Sequence, residues 1–147
     1  MKVSRILIVI LFFILIPSNC IGSDKYNRSV WGRFNSNTRP IVIDNYHVDM
    51  VLDYYSGWPI PVSACQLEHI IPVAVAWRLG GYKWTREQRQ QFYNDTDNLV
   101  CTTGGTNASK GDKTPLQWLP DVHKEEYIAR WRKGCDKYQL NCDEVLP

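Results

Sequence analysis

An acid and a histidine stand side by side in an otherwise apolar stretch, Leu67-Glu68-His69-Ile70-Ile71-Pro72. Burying a charge without a partner is expensive, so this pair is a poor way to build a core. It is a good way to hold a metal ion and activate a water. Asn98 and Asn107 follow, 29 and then 9 positions further on, and Asn107 opens the run Asn107-Ala108-Ser109-Lys110-Gly111-Asp112. Neighbouring side chains on a strand face opposite ways. Glu68 and His69 therefore share one site only at a bend or a strand end, and Pro72 fits such an edge.

The first residues read as an address. Met1 to Arg5 is short and basic, Ile6 to Pro17 is almost wholly apolar, and small or polar residues follow at Ser18, Asn19, Cys20 and Gly22. This is the layout of a cleavable secretory signal over residues 1–22. The apolar run is shorter than the roughly 20 residues of a spanning helix, so stable membrane insertion is not expected. The predicted location is secreted or periplasmic; a lipid-modified Cys20 fits less well. Residues 1–22 hold Lys2 and Arg5 and no acid, so the 17 basic residues fall to 15 against 15 acidic ones. A net charge of zero lends no support to nucleic-acid binding. Any phosphate-binding surface must come from local clusters such as Arg78, Lys83, Arg86 and Arg89, or Arg130, Arg132 and Lys133. Taken alone, each reads as a solvated helix face.

Residues 23–147 are the size of one domain, with 23–64 expected to wrap a core formed by 65–147. Four cysteines remain after the leader: Cys65, Cys101, Cys135 and Cys142. An even count behind a secretory signal points to disulfides, and no CxxC pair favours zinc instead. Three pairings are open. Cys135–Cys142 is favoured as a local clasp, and Cys65–Cys101 because both flank the Glu68 and Asn98 segments.

The pattern predicts an α+β fold. A buried strand is expected from Gln66 to Val73, a short helix from Ala74 to Leu79, and a strand from Asn98 to Thr103. Thr85-Arg86-Glu87-Gln88 fits a capping box opening a helix to about Tyr93. Gly104-Gly105 is read as a turn, Asn107 as the start of a short helix ending near Gly111, and Asp121 as the cap of a last helix ending at Gly134. Ile41-Val42-Ile43 is read as a short strand and Val48 to Tyr55 as helix or strand.

Hydrolysis of a phosphodiester needs a base for the water, a cation for the developing charge, and a frame that holds both. Histidine titrates near neutrality. A carboxylate and an amide oxygen suit a hard divalent ion. The ordered segments Leu67-Glu68-His69-Ile70-Ile71-Pro72, Asn94-Asp95-Thr96-Asp97-Asn98 and Asn107-Ala108-Ser109-Lys110-Gly111-Asp112, with Trp118-Leu119-Pro120 after them, resemble the His-Asn-His nuclease superfamily. The likeness is to its secreted and restriction-associated branch, with EHxxP and NxxKGD motifs and asparagine in place of the last histidine, and it covers roughly residues 65–131. It implies a ββα metal finger, a β-hairpin plus helix, set in a small, mostly helical, disulfide-stapled domain. His69 would be the general base, and Glu68 and Asn107 the ligands of one divalent ion, Mg²⁺ before Mn²⁺. Asn98 would hold the finger together, Lys110 would sit near the scissile phosphate or neutralise it, and Asp112 would play a supporting role. Cleavage would leave 5′-phosphate ends. Nucleic acid is the implied partner, DNA before RNA, and no oligomer is implied. The acid is Glu where related fingers often carry Asp.

Each residue also has a plainer reading. His69 fits a core histidine, Glu68 an edge acid, Asn98 a strand start, Asn107 a helix cap and Lys110 a surface lysine. His47 and His123 lack motif context and are read as structural or surface residues. The competing function is a disulfide-stabilised secreted binding module with an inactive finger, in keeping with zero net charge and 12% aromatic residues. Asn27, Asn94 and Asn107 all head N-glycosylation tripeptides, and a glycan on Asn107 would remove a proposed ligand.

Overall fold

The computed structural model describes residues 25–43 and 49–147; the expected leader over 1–22 and His47 lie outside them. At the centre are two antiparallel strands, β3 (Gln66–His69) and β4 (Leu99–Thr102), with Glu68 opposite Val100 and His69 opposite Leu99. The strand expected to reach Val73 stops at His69. Ile70 and Ile71 form a buried bend, and Pro72 leads into α2 (Val73–Arg78). The reason lies in Asn98, which binds both backbone groups of Ile71 and so takes the bonds a longer ladder would need.

Between the strands, α3 (Arg86–Tyr93) begins with the predicted capping box. The Gln88 N–H donates to the Thr85 hydroxyl at 3.2 Å, and the Thr85 N–H to the Gln88 side chain at 2.8 Å. After β4, α4 (Gly104–Lys110) starts earlier than predicted. Thr103 caps it by accepting from the Thr106 N–H at 3.2 Å, so Gly104-Gly105 is the first turn of the helix and Asn107 sits inside it. Gly111 ends α4 at φ 52°, where a side chain would be strained.

The last helix, α5 (Lys124–Tyr138), follows His123, whose own φ is 58°, so Asp121 does not cap it. It also runs through Gly134 rather than ending there. A Cβ at Gly134 would lie 2.6 Å from the Ile71 side chain, so this glycine lets the bend after β3 pack directly on α5. Tyr127, Trp131 and Cys135 form the buried stripe of α5 at four-residue spacing.

The N-terminal part wraps this frame. A single 3₁₀ turn (Arg28–Trp31) inserts Trp31 among Trp77, Trp84 and Phe92. Ile41 and Val42 belong to α1 (Thr38–Val42), not to a strand. Pro40 falls in its first turn, where a missing N–H is tolerated, and Arg39 reaches the carbonyls of Val62 and Cys65 at 3.1 Å. A small hairpin pairs β1 (Met50–Leu52) with β2 (Pro59–Pro61). The disulfides are Cys65–Cys101 and Cys135–Cys142, closing loops of 36 and 7 positions. By chain entropy the longer loop is worth about 4 kcal/mol and the shorter about 2.5 kcal/mol. The fold is thus α+β, with two small sheets and two disulfides.

Candidate active site

His69 closes β3 and is 6% exposed. Its Nε2 lies 2.8 Å from the backbone carbonyl of Tyr93. A carbonyl only accepts, so Nε2 carries the proton and the lone pair is on Nδ1. The imidazole runs nearly parallel to the rings of Phe34 (15°) and Phe92 (3°). The carbonyl therefore sets the tautomer and the rings set the plane. Burial pushes the His69 pKa down to about 4; the Tyr93 carbonyl opposes this, while the charges of Arg28 and Lys110 add to it. At neutral pH the ring is uncharged and able to accept a proton.

Glu68 and Lys110 form a buried ion pair. The Lys110 Nζ donates to Glu68 Oε1 at 2.5 Å and to the His69 carbonyl at 2.9 Å. Lys110 is 0% exposed. Burial raises the Glu68 pKa and lowers that of Lys110, and the opposite charge of each partner works against both shifts. Lys110, expected at the scissile phosphate, is instead enclosed beneath the strand. Its ammonium bridges α4 and β3.

Asn98 is buried just before β4. Its Oδ1 accepts from the Ile71 N–H at 2.8 Å, its Nδ2 donates to the Ile71 carbonyl at 3.3 Å, and its own carbonyl accepts from the Ile70 N–H at 2.8 Å. Three bonds tie the bend after His69 to the second strand. Asn107 sits on α4, its Nδ2 donating to Gln66 Oε1 at 3.2 Å, so that the Oδ1 of the same amide is not used in that bond. Asp112 lies beyond the end of α4 in an exposed ion pair with Arg78 at 2.9 Å.

A cleft of about 300 Å³ is lined by Glu68, His69 and Asn107 together, with Asp112 at its edge. A larger groove of about 750 Å³, around Met50, Leu52 and Tyr54, holds none of the candidates. Among the described residues no cluster of three or more His, Cys, Asp or Glu side chains is placed to bind a metal. Zinc generally takes three or four nitrogen or sulfur ligands. The donors here are one carboxylate and one amide oxygen, which fits a hard ion such as Mg²⁺ that keeps most of its waters.

Two residues of the site, and one beside it, have no spacing pattern in the sequence to mark them. Arg28 and Phe34 come from the wrapping segment and line the same cleft. Asp53, fully buried after β1, accepts from the backbone N–H groups of Tyr55 (2.9 Å), Ser56 (3.2 Å) and Thr103 (2.8 Å) and from the Thr102 hydroxyl (2.9 Å). It joins the hairpin turn to the junction of β4 and α4. An acid between Leu52 and Tyr54-Tyr55 was the one available hint. The basic clusters are largely engaged. Arg78 pairs with Asp112, Arg89 donates to Trp84 and Val30 carbonyls, Arg130 to those of Asp97 and Leu99, and Lys133 pairs with Asp97. His123 stacks on Tyr54, away from the cleft.

In two of the three glycosylation tripeptides the amide nitrogen of the asparagine side chain already donates a hydrogen bond. Asn94 accepts from the Asn35 N–H and the Thr38 hydroxyl and donates to the Arg33 and Gln90 carbonyls, and Asn107 is bound to Gln66.

Residues 22–142 match a family model described as GmrSD restriction endonucleases, C-terminal domain. A protein of Arthroderma benhamiae, described as an uncharacterized secreted protein, is 30% identical over 142 residues, taking in 85% of this chain and 70% of that one. No solved structure matches the chain. Among the described residues no helix is long and apolar enough to cross a membrane, and two disulfides fit an oxidising, extracellular setting.

Proposed function

The chain belongs to the family of C-terminal domains of GmrSD restriction endonucleases, and from that premise we propose that it is a secreted nuclease of the His-Asn-His type. It hydrolyses phosphodiester bonds of nucleic acid, DNA before RNA, with β3, β4 and α4 as its ββα metal finger. The observation that carries this reading is the convergence of His69, Glu68 and Asn107 on one cleft, with the His69 proton already committed to the Tyr93 carbonyl.

In this reading a water in the cleft gives its proton to Nδ1 of His69 as its oxygen attacks phosphorus. The bond from phosphorus to the 3′ oxygen breaks, that oxygen takes up a proton, and the products are a 5′-phosphate and a 3′-hydroxyl. The Glu68 carboxylate and the Asn107 side-chain oxygen Oδ1 would hold one divalent ion, most suitably Mg²⁺, which would neutralise charge on the phosphate and the departing oxygen. Lys110 fixes the Glu68 carboxylate, Asn98 fixes the bend that presents His69, and the ring planes of Phe34 and Phe92 keep the base aligned.

Plasmid cleavage across a Mg²⁺ and Mn²⁺ series, with EDTA controls, tests the assignment. His69→Ala should lower the rate by roughly 10²- to 10⁴-fold, the usual share of a general base, in a protein that still melts in one cooperative transition. An undiminished rate would sink it. A wild-type protein inactive on DNA and RNA with every ion would instead favour a secreted binding module.

A further inference from the structure

Arg28 is an exposed cation that forms no ion pair with any described residue, yet it is held firmly. Asn27 caps its turn by accepting from the N–H (2.9 Å) and the hydroxyl (2.8 Å) of Ser29. Three positions on, Trp31 is buried at 1% exposure. The Arg28 guanidinium donates to the Tyr93 hydroxyl at 2.5 Å and lies 4.7 Å from the centre of that ring. Tyr93 is also the residue whose carbonyl holds His69. One tyrosine thus anchors the guanidinium through its side chain and the histidine through its backbone.

Arg28 lines the cleft shared by Glu68, His69 and Asn107, and its charge acts on both Glu68 and His69. A guanidinium has five donors in a planar fork. The Tyr93 hydroxyl occupies part of that fork and leaves the rest to an anion. We infer that Arg28 binds a non-bridging phosphate oxygen of the nucleic-acid substrate inside this cleft, with Tyr93 as its positioning residue. This rests on the phosphodiesterase reading above. With Lys110 enclosed, Arg28 takes over the phosphate contact that the sequence reading gave to that lysine. The geometry also suits the pairing, since guanidinium and phosphate form parallel, charge-assisted bonds.

The test compares wild type with Arg28→Gln, Arg28→Lys and Tyr93→Phe, each with both disulfides formed. Cleavage of a labelled duplex gives kcat/KM. Fluorescence anisotropy of the same duplex with His69→Ala and with His69→Ala/Arg28→Gln, from about 50 to about 200 mM salt, gives the salt slope of binding. Arg28→Gln should lose roughly ten- to a hundredfold in kcat/KM and flatten the log–log slope by about one contact. Arg28→Lys should restore the slope and only part of the rate, because it lacks the fork. Tyr93→Phe keeps the carbonyl that holds His69 and should lose less than Arg28→Gln.

Wild-type cleavage with an unimpaired Arg28→Gln overturns the inference and leaves the nuclease reading standing. A loss of rate with an unchanged salt slope also overturns it and makes Arg28 a packing residue. An inactive wild type defeats the nuclease reading. The slopes then decide the phosphate contact, supporting it if they differ between the two His69→Ala proteins and refuting it if they coincide.

Discussion

The segment from Cys65 to Gly111 and the segments that wrap it build the same cleft by different means. In the first, the groups that line the cleft are braced by buried side chains of the same segment: Lys110 binds Glu68 and the His69 carbonyl, and Asn98 binds Ile71. In the second, single residues reach across from distant positions. Arg28 binds Tyr93, Phe34 lies against His69, and Asp53 spans to Thr102 and Thr103. In the proposed reading the finger would supply the reacting groups, and the wrap would set their angle and their electrostatic surroundings. A finger excised from this chain would keep the motif and lose half of what orients it.

The sharpest way to break that contrast lies inside the finger. Lys110→Met removes the cation of a buried ion pair and leaves Glu68, itself mostly enclosed, without its partner. Losing one half of such a pair costs about 3–5 kcal/mol. Urea unfolding should therefore show the largest loss of stability among the substitutions considered. A cost below about 1 kcal/mol, the range of an exposed pair, would mean that the finger does not depend on this bridge.

Asp53→Asn crosses from the wrap to the finger. An amide keeps the shape but presents an NH₂ group to donors that now meet a carboxylate, and the expected cost is about 1–3 kcal/mol. The pH dependence gives a second reading. Burial alone would raise the Asp53 pKa, but its hydrogen bonds from Thr103, Thr102, Tyr55 and Ser56 outweigh that and hold it below 3.8. The charged form is thus favoured by folding. Its stabilisation is complete above the unfolded pKa and is lost as pH falls through the lower folded value. Melting curves of wild type and Asp53→Asn should differ by a constant amount above about pH 5 and converge below 3.8. Parallel curves down to the lowest pH would remove Asp53 from the link.

How much was legible follows from the same contrast. The capping box at Thr85, the Cys135–Cys142 clasp and the short helix after Pro72 were readable because each is a local pattern with a local cause, and Cys65–Cys101 because its two cysteines flank the Glu68 and Asn98 segments. Gly134 misled because its role is set by Ile71, far away in sequence, and a glycine inside a helix looks like a stop until its neighbour is known. Gly104-Gly105 misled for a local reason, since Thr103 outranks them as a helix start. Lys110 was picked out by its motif and given the wrong surroundings, because spacing reports which residues matter and not how deeply they are buried. Arg28, Phe34 and Asp53 were illegible for a simpler reason: one arginine, one phenylalanine and one aspartate have no spacing to read.

The smallest effect gives the finest test of whether the wrap only encloses the finger or also aligns its base. Phe34 stacks on His69 at 5.6 Å and meets Tyr93 in a tilted contact at 4.6 Å between ring centres. Phe34→Leu keeps an apolar side chain there and removes the ring plane. Aromatic pairing of this kind is worth about 0.5–1.5 kcal/mol beyond burial, so cleavage should slow by roughly two- to tenfold. The loss should fall on kcat and spare KM, because the substrate contacts remain while the base is less often in line. A rise in KM at constant kcat would make Phe34 part of the substrate surface. An unchanged rate would leave alignment to the Tyr93 carbonyl and Phe92 alone, and the wrap would then touch the chemistry only through Arg28.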